Sequence, residues 1–270
     1  MEDNALHPVK CVAYLVMLRE QNSRILAEFA VSYKSLRRFH PDLPVVVYHH
    51  NLMGAELDYL EQLEGVRCVP IGLDAGRMFS EQRYREAEGW NFPELFALTA
   101  KIDAMLLTPG DTLFLDTDTE VVAPLDECLS SDTPWMHMAE GHPEGDTRDL
   151  FAQIPWQAMG WRGDLRRMRI YDAGSIYVPQ ACKHHLYLAK QLLWSQLRPA
   201  DQDQLDEQMA LSIALQESVQ YQLPEIAPRV YHYSREKRDK QGDWYQRVHG
   251  FRGAWAGEPQ AVVSSPRTLG

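Results

Sequence analysis

The sequence predicts an α/β fold with a mostly parallel central sheet, and three features carry that expectation. Residues 9–18, VKCVAYLVML, are an unbroken apolar run rich in β-branched side chains, as expected of a strand covered on both faces. Residues 22–39 place Ile25, Leu26, Phe29, Ala30, Tyr33 and Leu36 at helical spacing, with Asn22 or Ser23 available as the cap. After the turn HPDLP, the run VVVYHH at 45–50 returns to strand character. Strand alternating with helix is the pattern of parallel strands joined by crossover helices.

The alternation continues along the chain. Residues 55–64 read as a helix and 66–71, VRCVPI, as a third short strand. Residues 74–91 carry Gly, Arg and Glu without a period and read as a loop with a short helix. Asn91 and Glu94 have capping-box spacing and Pro93 suits a first turn, so the next helix runs to about Leu107, where TPGD breaks it. The apolar strand TLFLD then leads into DTDTE at 116–120. In the second half, 133–139 reads as a strand, 140–169 as a long loop region with short helices, 171–178 as a strand and 182–197 as a helix. A further helix is capped at Asp203, short strands are expected near 219–223 and 229–233, and the remaining residues read as a tail wrapped on the body.

With 270 residues, the chain can bury a substantial core. Its 27 Lys and Arg against 38 Asp and Glu give a net charge of −11, which disfavours nucleic acid and anionic membranes as partners. An acidic protein that takes an anionic ligand needs local positive charge, and a divalent cation is the simplest source. No stretch approaches the roughly 18 consecutive apolar residues of a membrane span, and the opening residues lack the pattern of a signal peptide. Cys11, Cys68, Cys128 and Cys182 are scattered without a CxxC pair and read as reduced, buried core thiols. A cytoplasmic location is the simplest expectation.

Asp116 and Asp118 close the apolar run Leu113-Phe114-Leu115. In open α/β sheets ligands bind beyond the carboxyl ends of the strands. Two carboxylates at alternate positions of an extended segment point the same way, so they can share a hard cation that bridges phosphate oxygens. The plainer reading is a solvated acidic turn in which Thr117 and Thr119 satisfy backbone groups.

The stretch KIDAMLLTPGDTLFLDTDTEVVAPLDE, residues 101–127, resembles the nucleotide-diphospho-sugar transferases of GT-A fold, and is similar to glycosyltransferase family eight. The resemblance covers roughly residues 9–235. It implies transfer of a hexosyl-type sugar from a nucleotide-sugar donor, UDP-linked by family habit, to a hydroxyl of a sugar, lipid, protein or small-molecule acceptor, with Mn²⁺ or Mg²⁺. It divides the chain into a nucleotide-sugar half (1–125), a donor-sugar and acceptor half (126–235) and a tail (236–270). The Asp116-Thr117-Asp118 turn would meet the cation and the diphosphate, and Lys101 would approach the phosphates or donor sugar; an ordinary solvated helix lysine is the alternative for Lys101. The run YDAGSIYV at 171–178 is similar to the family's Asn-x-Gly strand, with Asp172 to accept sugar hydroxyls and Gly174 to let the donor approach the backbone. Asp stands there where Asn is usual.

The same resemblance makes His232 in RVYHYSREK a third metal ligand and Lys237 a phosphate contact, although the family's Gly-x-x-Lys-Pro-Trp ending is absent and His249 is a rival ligand. A structural His beside Tyr is the competing reading. Asp206 and Glu207 open a helix, which the helix dipole alone explains; in related enzymes this position lies near the reacting carbon or the acceptor, so either residue would serve as general base if the reaction inverts. Two other functions compete. LFLDTDTE also resembles the opening of haloacid-dehalogenase-type phosphohydrolases, with Asp116 as nucleophile and Asp118 as acid/base, but a βαβαβ unit precedes it and GDTRD at 145–149 is a poor downstream acidic pair. A non-catalytic nucleotide-sugar-binding domain is the third reading; Trp156 and Trp161 fit a sugar-stacking platform, an interaction surface or core packing.

Overall fold

The buried strands send successive side chains to opposite faces of one sheet, and both faces are covered by helices. The computed structural model describes residues 10–17, 24–50, 52–71, 92–138, 171–195, 207–218 and 229–233, together with Arg247. The expected loops at 74–91 and 140–169, the strand near 219–223, the caps at Asn22 or Ser23, Asn91 and Asp203, and Trp156, Trp161 and His249 lie outside the described residues. So does the tail apart from Arg247.

In chain order the elements are β1 (Lys10–Met17), α1 (Arg24–Phe39), β2 (Val45–His50), α2 (Ala55–Glu61), β3 (Val66–Pro70) and α3 (Phe92–Leu107). Then come β4 (Asp111–Leu115), β5 (Thr119–Val121), the short α4 (Asp126–Leu129), β6 (Trp135–Met138) and β7 (Tyr171–Val178). A single 3₁₀ turn (Gln180–Cys182) leads into α5 (His185–Ser195), followed by α6 (Glu207–Ser218) and β8 (Val230–His232). The main sheet has the order β3-β2-β1-β4-β7-β6, and β5 pairs separately with β8. Strands β3, β2, β1 and β4 are mutually parallel, whereas β7 is antiparallel to both β4 and β6. The mixed α/β architecture with a mostly parallel sheet is the one expected. Among the described residues no helix is long and apolar enough to cross a membrane.

Alternation on the buried strands divides the core. Val12, Tyr14 and Val16 of β1, Val45 and Val47 of β2, and Leu113 and Leu115 of β4 pack with Leu26, Phe29, Tyr33 and Leu36 of α1. Ala13, Val46, Tyr48, Phe114 and Ile176 face the other way, onto Ala100 and Met105 of α3, Leu186 and Leu193 of α5, and Ala214 of α6. All five residues of β4 are buried, and after Asp111 and Thr112 the strand is the apolar run Leu113-Phe114-Leu115, as expected of a strand covered on both faces.

Two element boundaries and the burial of two cysteines differ from expectation. Helix α2 stops at Glu61 because Gln62 caps it and Gly65, at φ 67°, turns the chain into β3. The helix expected from 182 begins at His185, after the 3₁₀ turn that follows Pro179. Cys68 and Cys182 are only half-buried, unlike Cys11 and Cys128, because Cys68 lies on the edge strand β3 and Cys182 in the exposed 3₁₀ turn. All four are free thiols.

Phe29 is fully buried, edge-on to Tyr14 and stacked on Tyr33. Phe29→Ala is expected to lower the unfolding free energy by about 3–5 kcal/mol, read from the midpoint of a urea transition.

Candidate functional site

Strand order reverses at β1: the chain builds β1, β2 and β3 to one side, then places β4 on the other. The crevice beyond the carboxyl ends of β1 and β4 is therefore the topological switch point, where ligands of open α/β sheets bind. The aspartates emerge there. Asp116 N donates to Gly174 O at 2.8 Å, continuing the β4–β7 pairing by one residue. The chain then turns, with Thr119 Oγ1 donating to Asp116 O at 2.7 Å and Thr119 N at 3.2 Å to the same oxygen.

The turn feeds β5, which pairs antiparallel with β8 so that Thr119 sits opposite His232. Tyr233 N donates to Asp118 O at 2.9 Å and fixes that register. His232 Nε2 consequently lies 3.3 Å from Asp118 Oδ1 and 3.7 Å from Asp116 Oδ2. One ligand atom from each of Asp116, Asp118 and His232 falls within 4.8 Å of the others. Two ligands on opposite sides of Mg²⁺ stand about 4.2 Å apart, so the donor set fits a small cation. Two carboxylates and an imidazole also suit Mn²⁺ or Mg²⁺ chemically.

The other face of His232 is held as closely. Its Nδ1 lies 2.7 Å from Asp172 Oδ1, and the same oxygen accepts Gly174 N at 2.6 Å. A Cβ on Gly174 would stand 2.4 Å from the imidazole Cγ and Nδ1, so glycine is required there by the ring of His232. Lys101, buried on α3, donates to Asp116 Oδ2 at 3.0 Å, Ala173 O at 3.3 Å and Glu207 Oε1 at 3.4 Å. It thereby joins the strand-end aspartate to the first residue of α6.

Electrostatics follows from this crowding. Burial opposes charge on His232, but hydrogen bonding to Asp118 and Asp172 and the nearby Asp116 carry its pKa up to about 10. Burial likewise opposes ionisation of Asp172, yet His232 and the Gly174 amide bring it down to about 2. Burial pushes Asp116 above the usual carboxylate range despite the Lys101 ammonium. Burial works against the Lys101 charge too, and Asp116 and Glu207 outweigh it and raise that pKa.

Asp116, Asp118, Asp172, Gly174, Lys101, Glu207 and His232 thus converge from five elements, with Thr117 half-buried in the turn between the aspartates. Asp206 and Lys237 lie outside the described residues. Sequence reasoning missed the support behind the turn: Ser32 Oγ of α1 hydrogen-bonds both Tyr14 OH and Thr119 Oγ1, each at 3.0 Å, and Ser35 Oγ accepts Val121 N at 2.9 Å. The signal available was Ser32 itself, a hydroxyl in the buried stripe between Phe29 and Leu36. Also unforeseen, Glu120 takes a two-pronged Arg247 at 2.7 and 2.9 Å and the Tyr233 hydroxyl at 2.6 Å.

No protein-family model matches the chain, and no curated protein matches it either. Solved structures do. The galactosyltransferase LgtC, in complex with donor and acceptor sugar analogues, aligns at TM-score 0.52 and 13% identity over 88% of this chain and 95% of its own. The glycosyltransferase GlyE of Streptococcus pneumoniae aligns at TM-score 0.52 and 14% identity over 89% of this chain and 60% of its own. The fold is GT-A. The Asp116-Thr117-Asp118 turn lies at the switch point of this sheet.

Gly174→Ala is expected to push the His232 ring out of hydrogen-bond reach of Asp118 with the sheet intact, which a crystal structure of the variant would measure. A pH dependence follows as well. Because the folded pKa of His232 lies above the ordinary 6.5, its contribution to stability is fully present below about pH 6.5 and lost as pH rises through about 10. In EDTA, the melting temperature should fall between pH 7 and 10 by more than that of His232→Gln; parallel curves would contradict the assignment.

Proposed function

We propose that this protein is an enzyme, a glycosyltransferase that moves a sugar from a nucleotide-diphosphate donor, UDP-linked, to an acceptor hydroxyl, using Mn²⁺ or Mg²⁺. The observation that carries the reading is the convergence of Asp116 and Asp118, from the turn after β4, with His232 of β8 at the switch point of a GT-A sheet. These three residues would hold the cation, with the donor diphosphate over the 116–118 turn. When bound, the cation supplies Lewis-acid neutralisation of the leaving diphosphate.

The remaining roles follow from the geometry of the chain's own groups. Lys101 sets a fixed positive charge beside Asp116 and holds both Asp116 and Glu207 in place. Its buried ammonium requires no reorganisation to meet a developing negative charge. Lys237 would add a phosphate contact. In the transfer the bond from the anomeric carbon to the phosphate oxygen breaks, a bond to the acceptor oxygen forms, and the acceptor hydroxyl gives up its proton. If the reaction inverts, Glu207 or Asp206, at the start of α6, takes that proton. If it retains, these carboxylates position the acceptor while the leaving phosphate takes the proton. Residues 1–125 would form the nucleotide half and 126–235 the donor-sugar and acceptor half. Four free thiols support a reducing, cytoplasmic setting.

A phosphohydrolase with Asp116 as nucleophile fits the topology less well, because a complete β1–α1–β2–α2–β3 unit precedes β4 and Asp116 is engaged by Lys101. Uridine diphosphate is expected to raise the melting temperature only when Mn²⁺ or Mg²⁺ is present, and Asp118→Ala should abolish the shift while the fold survives. A shift of equal size in the variant without metal would sink the proposal. Slow donor hydrolysis across a panel of nucleotide sugars would identify the sugar, and metal-dependent binding without turnover would instead mark a non-catalytic sugar-nucleotide-binding domain.

A further inference from the structure

The sequence resemblance assigns Asp172 to the donor sugar, yet the carboxylate is engaged inside the protein. Asp172 and Gly174 stand two residues apart on β7, and Asp172 Oδ1 accepts at once from the Gly174 amide, 2.6 Å away, and from His232 Nδ1, 2.7 Å away. Gly174 leaves the space the imidazole fills, since any Cβ there would overlap the ring. Both contacts originate on β7, whose pairing with β4 runs through Ser175–Val178 and whose Gly174 carbonyl receives the Asp116 amide. The segment that seats His232 is therefore the one that anchors the first aspartate.

We propose that Asp172 is a positioning residue for His232, its carboxylate orienting the imidazole so that Nε2 faces Asp116 and Asp118 and raising the affinity of the three-residue site for a divalent cation. The proposal rests on the metal-dependent reading above. A carboxylate only accepts, so the contact with Asp172 keeps the hydrogen on Nδ1, and Nε2 is the nitrogen that gives up its proton when a metal binds. Carboxylate–histidine–metal relays of this kind fix both tautomer and ring orientation. The added negative charge also distinguishes this site from one with a neutral amide at the same position. Asp116 and Asp118 face Nε2 and Asp172 faces Nδ1, so a cation there meets two carboxylates directly and feels the third through the imidazole.

The test is titration of the full chain with Mn²⁺ alone, followed by electron paramagnetic resonance of the free ion, for wild type, Asp118→Ala, Asp172→Asn and Asp172→Ala. Asp172→Ala is expected to weaken Mn²⁺ binding by about 10–100-fold, the usual cost of losing an outer-shell partner. Asp172→Asn, which keeps an acceptor and the side-chain volume, should fall between it and wild type. The d–d spectrum of bound Co²⁺ should change in both variants. Wild-type Mn²⁺ affinity in both Asp172 variants, together with a raised KM for the donor, would overturn the proposal and return Asp172 to the sugar. If wild type and Asp118→Ala bind Mn²⁺ equally poorly, the metal-dependent reading fails and this proposal with it. If they differ while the Asp172 variants match wild type, only the positioning role fails.

Discussion

Carboxylates cannot crowd one end of a buried sheet unless positive charge stands among them. Like charges about 4 Å apart near a protein surface repel by about 4 kcal/mol, and Asp116, Asp118, Asp172 and Glu207 meet around the tip of β4. Lys101 and His232 are what this protein places between them: the lysine bridges Asp116 and Glu207, and the imidazole bridges Asp118 and Asp172. Burial works against the charge on each, and in the absence of a metal ion the carboxylate partners of each raise its pKa. Removing one partner of such a set leaves the other charge uncompensated, so the site is held together as a unit.

The topology makes the unit possible. Residues from 101 to 232 reach one point because α3 runs into β4, β7 lies beside β4, and β5 folds back onto β8. The antiparallel entry of β7 matters most: it sets Gly174 against Asp116 and so carries Asp172 to the same end of the sheet as the aspartates, where a strand entering in parallel would offer its C-terminal residues.

Much of this was legible from residues alone, and the physical reasons are specific. β1, β2 and the Leu113-Phe114-Leu115 stretch of β4 declared themselves because strands covered on both faces are rich in apolar runs, and α1 because only one stripe of it meets the sheet. Asp116 and Asp118 stood out because acid directly after such a strand has no packing explanation. Long-range pairing was less legible. The direction of β7 depends on the path of the chain before it, and nothing local to YDAGSIYV encodes it. Asp172 and Gly174 were visible as a pair worth noting, but their partner, His232, lies 60 residues away on a strand of three residues. Ser32 went unnoticed because one hydroxyl in an apolar stripe reads as a tolerated substitution until Thr119 is seen opposite.

The β5–β8 ribbon explains why that hidden support exists. Two strands of three residues are too short to persist alone in water, yet their register decides whether His232 reaches Asp118, because a slip of one residue would send the ring to the other face. The ribbon is therefore braced from outside. On one flank, the hydroxyls of Ser32 and Ser35 tie it to α1, itself packed on the sheet core. On the other, Glu120 joins Tyr233, the residue after β8, to Arg247 far along the chain. Glu120 alternates with Thr119, so the two braces, Thr119 to Ser32 and Glu120 to Arg247 and Tyr233, leave β5 on opposite faces. The Glu-Tyr-Arg cluster ties both strands of the ribbon together and so helps keep a marginal pair of strands in the one register that closes the acidic site.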